Sequence, residues 1–399
     1  MTVHIHPEAS NVTAEIAASQ SGAATVIERS SPELERLQRL LGIDLWRGIA
    51  AYAVILVHSG DRTWGVPVDD AATTFRLAFY FAVPFFLAAA FFFMVKKPEV
   101  GRSGQFWRSR VERLAIPYLM WSVFYVVLRS ARAYLGAGVK AVKSYLDDPL
   151  ALLFFGGASY HLYFLPLLFV GTLSILAVCW LDRRRSPLTF AGLSLVFLIL
   201  SQLTFSSGNG FQLGAYVAFE SLFSRGFGAT TAQPFPIRLV LVCVAWLLRC
   251  LPYAFMAKAL DRLLVEKGLA WVSRPRMALA GFFTFGVANA LGSDLLPREV
   301  RALCMAFGLL VFSLSISRYL NRFSDLIVSV GRCSFGIYLA HPIVMNLVKP
   351  AISKLGLGLS DRVSIASMLW ISLSSFVLSW LAVLMVAKVK PISKYVVGI

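Results

Sequence analysis

Apolar runs long enough, or nearly long enough, to cross a hydrocarbon core of about 30 Å recur along the whole chain between short polar connections. Runs of this length predict membrane-spanning α-helices, whose backbone hydrogen bonds are satisfied within each segment. We therefore predict an all-α, polytopic integral membrane protein with about ten transmembrane helices. The runs lie at 43–59, 76–95, 114–130, 161–181, 187–204, 237–257, 277–292, 301–317, 334–349 and 364–387.

Composition and charge agree with this class. Hydrophobic residues make up 58% of the 399 residues and charged residues only 15%, which is far more apolar than a soluble globular domain. With the N-terminus inside, cytoplasmic segments hold 23 Lys and Arg residues and outer segments hold 13, as the positive-inside rule requires. Both termini are predicted to be cytoplasmic. Topology and anionic lipid headgroups account for most of the net charge of +17, so no nucleic-acid partner is expected.

Three parts are predicted along the chain. Residues 1–42 form a cytoplasmic tail without the pattern of a cleavable signal peptide. The periodicity of Ser31 to Leu41 predicts a short amphipathic helix on the membrane surface within this tail. Residues 43–387 form the transmembrane domain, and residues 388–399 form a second cytoplasmic tail.

The first apolar run carries an arginine and a histidine, which are costly inside a membrane and therefore functional candidates. Arg47 and His58 are eleven residues apart, so on a helix they lie within about 20° of the same face and about 16 Å apart. Asp44 and Ala51 fall on the same stripe. Asp44 is one turn from Arg47 and is expected to pair with it. The stripe should face a protein interior or a wet cavity.

Two further histidines lie in apolar runs. The predicted topology places His58 and His161 near the outer face and His341 about halfway across, so the three imidazoles could converge. Taken singly, each is more often a structural, hydrogen-bonded histidine than a catalytic one. His341 also precedes Pro342, where the helix loses an amide donor, so a local backbone role is an open alternative. The five cysteines are scattered and show no metal-ligand spacing, and no metal site is predicted.

Arginines cluster where the third apolar run begins. Arg108, Arg110 and Arg113 precede Pro117, and the last two arginines are one helical turn apart. Guanidinium groups with this spacing can clamp phosphate oxygens in a bidentate manner. The alternative is that they only mark the cytoplasmic end of a helix. The use of arginine throughout, where any cation would satisfy topology, favours the phosphate interpretation.

Several of these motifs together resemble the membrane-bound acyltransferase-3 family, whose members O-acylate bacterial surface glycans. The resemblance rests on Arg47-x10-His58 after Gly-Ile-Asp44, on the Arg110-x-x-Arg113 pair, and on three aromatic segments. The aromatic segments are Phe81-Ala-Val-Pro84-Phe-Phe, His161-Leu-Tyr-Phe-Leu-Pro166 and Ser334-Phe-Gly-Ile-Tyr338-Leu-Ala-His341. Trp46 and Tyr163 depart from the usual residues of the family, which leaves the acceptor subgroup open. The match spans roughly 42–345, and the chain resembles the stand-alone members.

The resemblance implies transfer of a non-aminoacyl group, with acetyl the expected one, from cytoplasmic acetyl-CoA or another acyl-CoA to a glycan hydroxyl. Arg110, Arg113, Arg108 and Arg47 would hold the nucleotide, and acyl-CoA would be a co-substrate, with no bound cofactor expected. His58 would act as general base or would first accept the acyl group, with Asp44 orienting Arg47. Asp61, one turn after His58, could orient the imidazole.

The acceptor would be a surface polysaccharide or a lipid-linked glycan at the outer side of the bacterial inner membrane, where polysaccharide assembly machinery is a possible partner. His161, His341 and Tyr338 are candidates on that side. Two alternative functions stay open. A secondary transporter or flippase could use a proton-relay histidine, although the expected internal repeat is missing. A different acyltransferase could use His341 as its only base.

Overall fold

The computed structural model describes residues 40–60, 66–96, 103–182, 185–208, 217–228, 232–354, 362–389, 393 and 395–398. Residues 41–399 form one compact unit. Residues 31–39 of the predicted amphipathic helix, Asp61 and part of the C-terminal tail lie outside the described residues.

Seventeen α-helices follow one another in the described parts of the chain, interrupted by one π-helical and two 3-10 turns. The first nine are α1 Leu41–Ser59, α2 Asp70–Leu77, α3 Ala82–Val95, α4 Gly104–Arg110, α5 Ile116–Tyr145, α6 Pro149–Phe154, α7 Phe164–Gly171, α8 Ser174–Leu181 and α9 Pro187–Ser206. The others are α10 Glu220–Phe227, α11 Phe235–Lys267, α12 Leu269–Val272, α13 Pro275–Ala290, α14 Gly292–Leu295, α15 Arg298–Ile316, α16 Ser324–Lys354 and α17 Ile365–Ala387. The π-helical turn is Val111–Ala115, and the 3-10 turns are Ser317–Tyr319 and Asn321–Phe323.

The all-helical, polytopic class predicted from the apolar runs is confirmed. Among the described residues, nine helical segments of at least 18 residues are long and apolar enough to cross a membrane. The seventh predicted run corresponds to α13, which has only 16 residues and rises about 24 Å. Beta structure within the described ranges is limited to a single bridge between Val68 and Val363.

Helices α1 and α16 make the contact that positions most of the site residues. Glycines let the two backbones approach closely, because a Cβ at Gly331 would lie 2.7 Å from Asp44 Cβ and 2.8 Å from its carbonyl oxygen. A Cβ at Gly48 would lie 2.5 Å from a methyl carbon of Val330. Further along, Ala51 is buried in a cluster with Ile337 and other apolar residues of α16 and α17. The two helices therefore hold their polar faces in a fixed register.

We expect Gly331→Ala to destabilise the protein by about 1–3 kcal/mol, the usual cost of overpacking a close contact, because the added methyl meets the backbone of Asp44. The measurement is the apparent unfolding temperature in detergent. Gly192→Ala on α9 is the matched control, since nothing lies within 4 Å of its added Cβ. Equal unfolding temperatures for the two variants would contradict this account of the contact.

A helical irregularity separates α4 from α5. Pro117 has no amide hydrogen, and its ring would clash with the carbonyl group of Arg113 in a regular α-helix. The chain widens into the π-helical turn Val111–Ala115, whose last bond runs from the Ile116 amide to the Val111 carbonyl. Single π-helical turns of this kind frequently occur at functional sites. Here the turn carries Arg113 itself.

Candidate active site

The stripe predicted on α1 faces the protein interior. Asp44 is buried, and its carboxylate lies 3.6 Å from the Arg47 guanidinium, so the expected pair is present. Arg47 lines a cavity, while Ala51 fills the contact with α16. His58 lies at the other end of α1, beyond that contact.

One face of α16 runs beside this stripe. Gly331, Ser334, Tyr338 and His341 are spaced by three, four and three residues, so they lie on one helical face. Gly331 contacts Asp44, and Ser334 and Tyr338 line the same cavity as Arg47. His341 lies one turn further along, about 4.5 Å in rise from Tyr338. The face therefore leads from the Asp44–Arg47 pair towards the histidines.

The cavity has a volume of 1080 Å³. Four of its lining residues are cations, and no Asp or Glu is present among the described lining residues: Arg47, Lys96, Arg110 and Arg113. Most of the other lining residues are aromatic or aliphatic: Phe86, Ala89, Ala90, Phe93, Met94, Phe106, Leu114, Phe164, Leu168, Phe335 and Tyr338. A cavity lined by several cations and many apolar side chains suits an anionic ligand that also has an apolar end.

The predicted arginine cluster divides into two sets. Arg110 and Arg113 line the cavity, and the Arg110 guanidinium lies 5.1 Å from the centroid of Phe106, another lining residue. In the described parts of the chain, neither arginine forms an ion pair with a carboxylate. Arg108, which the sequence groups with them, does not line the cavity. Its exposed side chain pairs with Glu112 at 3.0 Å, so the structure does not bring it to the site.

Lys96 is a cavity cation that sequence reasoning missed. It follows the last residue of α3, and its Nζ lies 4.5 Å from the centroid of the Phe92 ring. Partial burial lowers the pKa of Lys96, and the nearby carboxylate of Asp261 partly opposes this effect. The only signal in the sequence is its place directly after an apolar run, where positive-inside topology already explains a lysine.

The three histidines converge, as the predicted topology suggested. The ring centroid of His341 lies 5.0 Å from that of His161 and 6.0 Å from that of His58. His161 and His341 are buried, whereas His58 is partly exposed and packs against the exposed ring of Tyr160 at 4.1 Å between centroids. A molecule approaching from the Tyr160 side would therefore meet His58 first. We call His58, His161 and His341 the histidine cluster.

The protonation of His341 follows from the proline after it. Pro342 cannot donate to the carbonyl oxygen of Tyr338, which a regular helix would require. His341 Nδ1 lies 2.6 Å from this oxygen, and a carbonyl only accepts, so Nδ1 carries the hydrogen. In a neutral ring Nε2 is then a hydrogen-bond acceptor. Nε2 is buried and has no hydrogen-bond partner among the described residues, so the contact with the backbone leaves one acceptor nitrogen of His341 unused.

A tight turn places the residues on either side of His161. Gly156 has a φ of 78°, and a Cβ there would lie 2.2 Å from the Tyr163 amide nitrogen, so only glycine fits. Its amide donates to the Tyr118 hydroxyl at 3.0 Å. The turn is further anchored by Asp148, whose carboxylate forms a buried pair with Arg238 at 2.9 Å. These contacts fix the position of Tyr160 and His161 beside the other two histidines of the cluster.

Tyr338 lies between the cavity and the histidine cluster. The sequence places it among the acceptor-side candidates, whereas the structure puts its side chain in the cavity wall. Its hydroxyl donates to the backbone carbonyl of His161, and its ring centroid lies 5.3 Å from the His161 ring and 6.1 Å from the His341 ring. Among the described residues that line the cavity there is no histidine. Tyr338 is therefore part of the boundary between the two regions.

A separate buried charge lies among other helices. Arg249 on α11 pairs with Glu299 on α15 at 3.8 Å, and Ser201 donates to the same carboxylate at 3.3 Å. Charged side chains inside a membrane are costly unless they are paired. This pair, with Ser201, joins α9, α11 and α15. In the part of the chain that the structure describes, no group of three or more His, Cys, Asp and Glu side chains could hold a metal ion.

The site combines a buried imidazole cluster with a large basic cavity in a helical membrane bundle, and sequence comparison supplies its class. The family model described as an acyltransferase domain, that of acyltransferase-3, matches residues 40–384. No curated protein and no solved structure matches the chain. The family match covers most of the chain. It includes α1, the π-helical turn Val111–Ala115 and the face of α16 from Tyr338 to His341. The chain therefore belongs to the acyltransferase-3 family and is a multi-pass membrane acyltransferase.

Proposed function

We propose that the protein is an O-acyltransferase that moves an acyl group, acetyl in the first instance, from acyl-CoA to a hydroxyl of a surface polysaccharide or lipid-linked glycan. The observation that carries this proposal is the cavity itself. It is lined by four cations, with no carboxylate among its described lining residues, and also by a tyrosine that contacts the histidine cluster. With the predicted topology, the donor enters from the cytoplasm and the acceptor from the outer side of a bacterial inner membrane.

The charge of the cavity suits the donor. Coenzyme A carries several phosphate charges, and arginine pairs hold phosphate oxygens in a bidentate manner. Arg110 and Arg113 supply such a pair at the cavity, with Lys96 and Arg47 beside them. The apolar lining residues, with Tyr338 among them, receive the thioester arm.

His58 is assigned the role of general base because it is the most exposed of the three histidines in the cluster. Its imidazole takes the proton of the acceptor hydroxyl while the hydroxyl oxygen attacks the thioester carbonyl. The new C–O bond forms, the C–S bond breaks, and the departing thiolate receives the proton from the imidazolium. The ring of His341, whose centroid lies 6.0 Å from that of His58, positions His58. An acyl-imidazole on His58 remains the stepwise alternative.

We expect Arg110→Lys to weaken acetyl-CoA binding roughly ten- to a hundredfold, because the charge is kept while the bidentate fork is lost, at about 1.5–3 kcal/mol for hydrogen bonds to charged groups. Titration calorimetry of the detergent-solubilised protein measures the Kd. Arg108→Lys is the matched control, since that side chain is exposed and outside the cavity. The same Kd for wild type, Arg110→Lys and Arg108→Lys would show that the arginine pair serves membrane topology alone.

Lys96→Ala should raise the KM for acetyl-CoA severalfold, because one cation of the phosphate-binding part of the cavity is removed. The KM for acetyl-pantetheine, which lacks the nucleotide phosphates, should not change. Lys388→Ala, at the end of α17 and outside the cavity lining, serves as the control. An equal rise with both donors would show that Lys96 does not act on the phosphates.

The proposed function is tested by release of free coenzyme A from acetyl-CoA by purified protein supplied with glycan extracted from the host. Acceptor-dependent thiol release supports transfer. Export of glycan by reconstituted vesicles without thiol release would favour the transporter alternative.

A further inference from the structure

We propose that Tyr338 limits the size of the acyl group that the enzyme transfers, so that short acyl groups pass to the histidine cluster and longer ones do not. This inference rests on the proposed use of acyl-CoA and names its acyl class. The cavity is lined by both cations and aromatic side chains, and Tyr338 is one of the aromatic residues.

The position of the acyl end follows from the order of the lining residues along α3. Lys96 follows the last residue of α3, and Phe86 lies ten residues earlier, about 15 Å away in rise. The Phe86 ring packs 6.2 Å from Phe164, which packs 5.9 Å from Tyr338, measured between centroids. With the phosphates at Arg110, Arg113 and Lys96, we therefore place the thioester end of the donor near Phe164 and Tyr338. On α16, the lining residues occur in the order Ser334, Phe335 and Tyr338, and His341 follows one turn later. In this placement the acyl group lies beside Tyr338 as it approaches the cluster.

Tyr338 is held firmly at this point. Its side chain is buried, and the hydroxyl donates to the His161 carbonyl. The ring packs 5.9 Å from Phe164 and 5.3 Å from His161, measured between centroids. A ring fixed by packing and by a hydrogen bond forms a wall of constant shape. Such a wall discriminates by chain length, because each additional methylene must find space beside it.

A second buried tyrosine provides a matched control. Tyr125 donates to the Leu339 carbonyl at 2.8 Å and packs 5.3 Å from the His161 ring, yet it does not line the cavity. It shares the burial, the type of hydrogen bond and the neighbouring histidine with Tyr338. Changes caused by loss of general packing should therefore be seen at both positions, whereas a change in acyl preference should be seen only at Tyr338.

The experiment measures kcat/KM for acetyl-, butyryl- and hexanoyl-CoA with the native glycan as acceptor. Wild type should prefer acetyl. Tyr338→Leu should raise the hexanoyl-to-acetyl ratio at least tenfold, whereas Tyr338→Phe, which keeps the ring, and Tyr125→Leu should leave the ratio within about threefold of wild type. Binding of free coenzyme A verifies that each variant is folded, and Tyr338→Met replaces the leucine variant if that variant does not bind.

The outcomes separate the two proposals. If wild type is active and the ratio is unchanged in the leucine or methionine variant, or changes equally in Tyr125→Leu, the inference about Tyr338 is overturned while the proposed function stands. If wild type releases coenzyme A from none of the donors, the proposed function fails and the inference fails with it.

Discussion

Replacing His58 by alanine is expected to lower acyl transfer by about 10²–10⁴-fold, the usual contribution of a general base. Binding of acetyl-CoA should be unchanged, because His58 does not line the cavity. The rate is measured as acceptor-dependent release of coenzyme A, and the Kd by calorimetry on the same preparation. A fall in rate without a change in Kd would place the histidine in the chemical step rather than in donor binding.

The neighbouring Ser59→Ala provides the control for His58. Its hydroxyl is buried and donates to the carbonyl groups of Leu56 and Met368, so the substitution disturbs the same end of α1 without touching an imidazole. We expect this variant to retain activity within a few-fold of wild type. If His58→Ala kept more than a tenth of wild-type activity, the assignment of the base would be wrong.

We expect His341→Asn to lower the rate of acyl transfer roughly ten- to a hundredfold, which is the second large effect. The asparagine amide can replace Nδ1 as donor to the Tyr338 carbonyl, so the helix next to Pro342 keeps its hydrogen bond. The buried acceptor nitrogen Nε2 is lost. The magnitude corresponds to about 1.4–3 kcal/mol of transition-state stabilisation, lost when the His341 ring no longer lies beside an imidazole that becomes charged.

This substitution distinguishes the two roles that the sequence leaves open for His341. A histidine needed only for the backbone would be replaced by asparagine without loss, while His341→Leu would destabilise the helix. A positioning role predicts that the asparagine variant is as stable as wild type and binds acetyl-CoA equally well but is slow, with a changed pH profile for kcat. Loss of activity in His341→Asn together with full activity in His58→Ala would make His341 the only base.

Much of the fold could be predicted from local features of the sequence. The apolar runs gave the helical class, because each run must satisfy its own backbone hydrogen bonds in a membrane. The eleven-residue spacing of Arg47 and His58 placed both on one face, and the three-residue spacing of Asp44 and Arg47 predicted their pair. These predictions depend only on the geometry of a single helix.

The remaining features depend on contacts between distant parts of the chain. Lys96 follows α3 and lines the same cavity as Arg110 and Arg113, an arrangement of separate helices that no local pattern indicates. Arg108 and Arg110 look equivalent in sequence, yet the helix directs one to Glu112 and the other to the cavity. Tyr338 could be assigned to a motif, but its place between cavity and cluster follows from the packing of α16 against the turn at His161.

The most direct test of the account is the O-acyl content of surface polysaccharide, measured by proton NMR in a deletion strain of the host. The strain is complemented with wild type, His58→Ala or Arg113→Ala at matched membrane levels. The account predicts that the acyl signal is lost on deletion, is restored by wild type, and is not restored by His58→Ala, with Arg113→Ala strongly reduced. Equal acylation in all strains would contradict the claim that this protein transfers acyl groups to that polysaccharide through the basic cavity and His58.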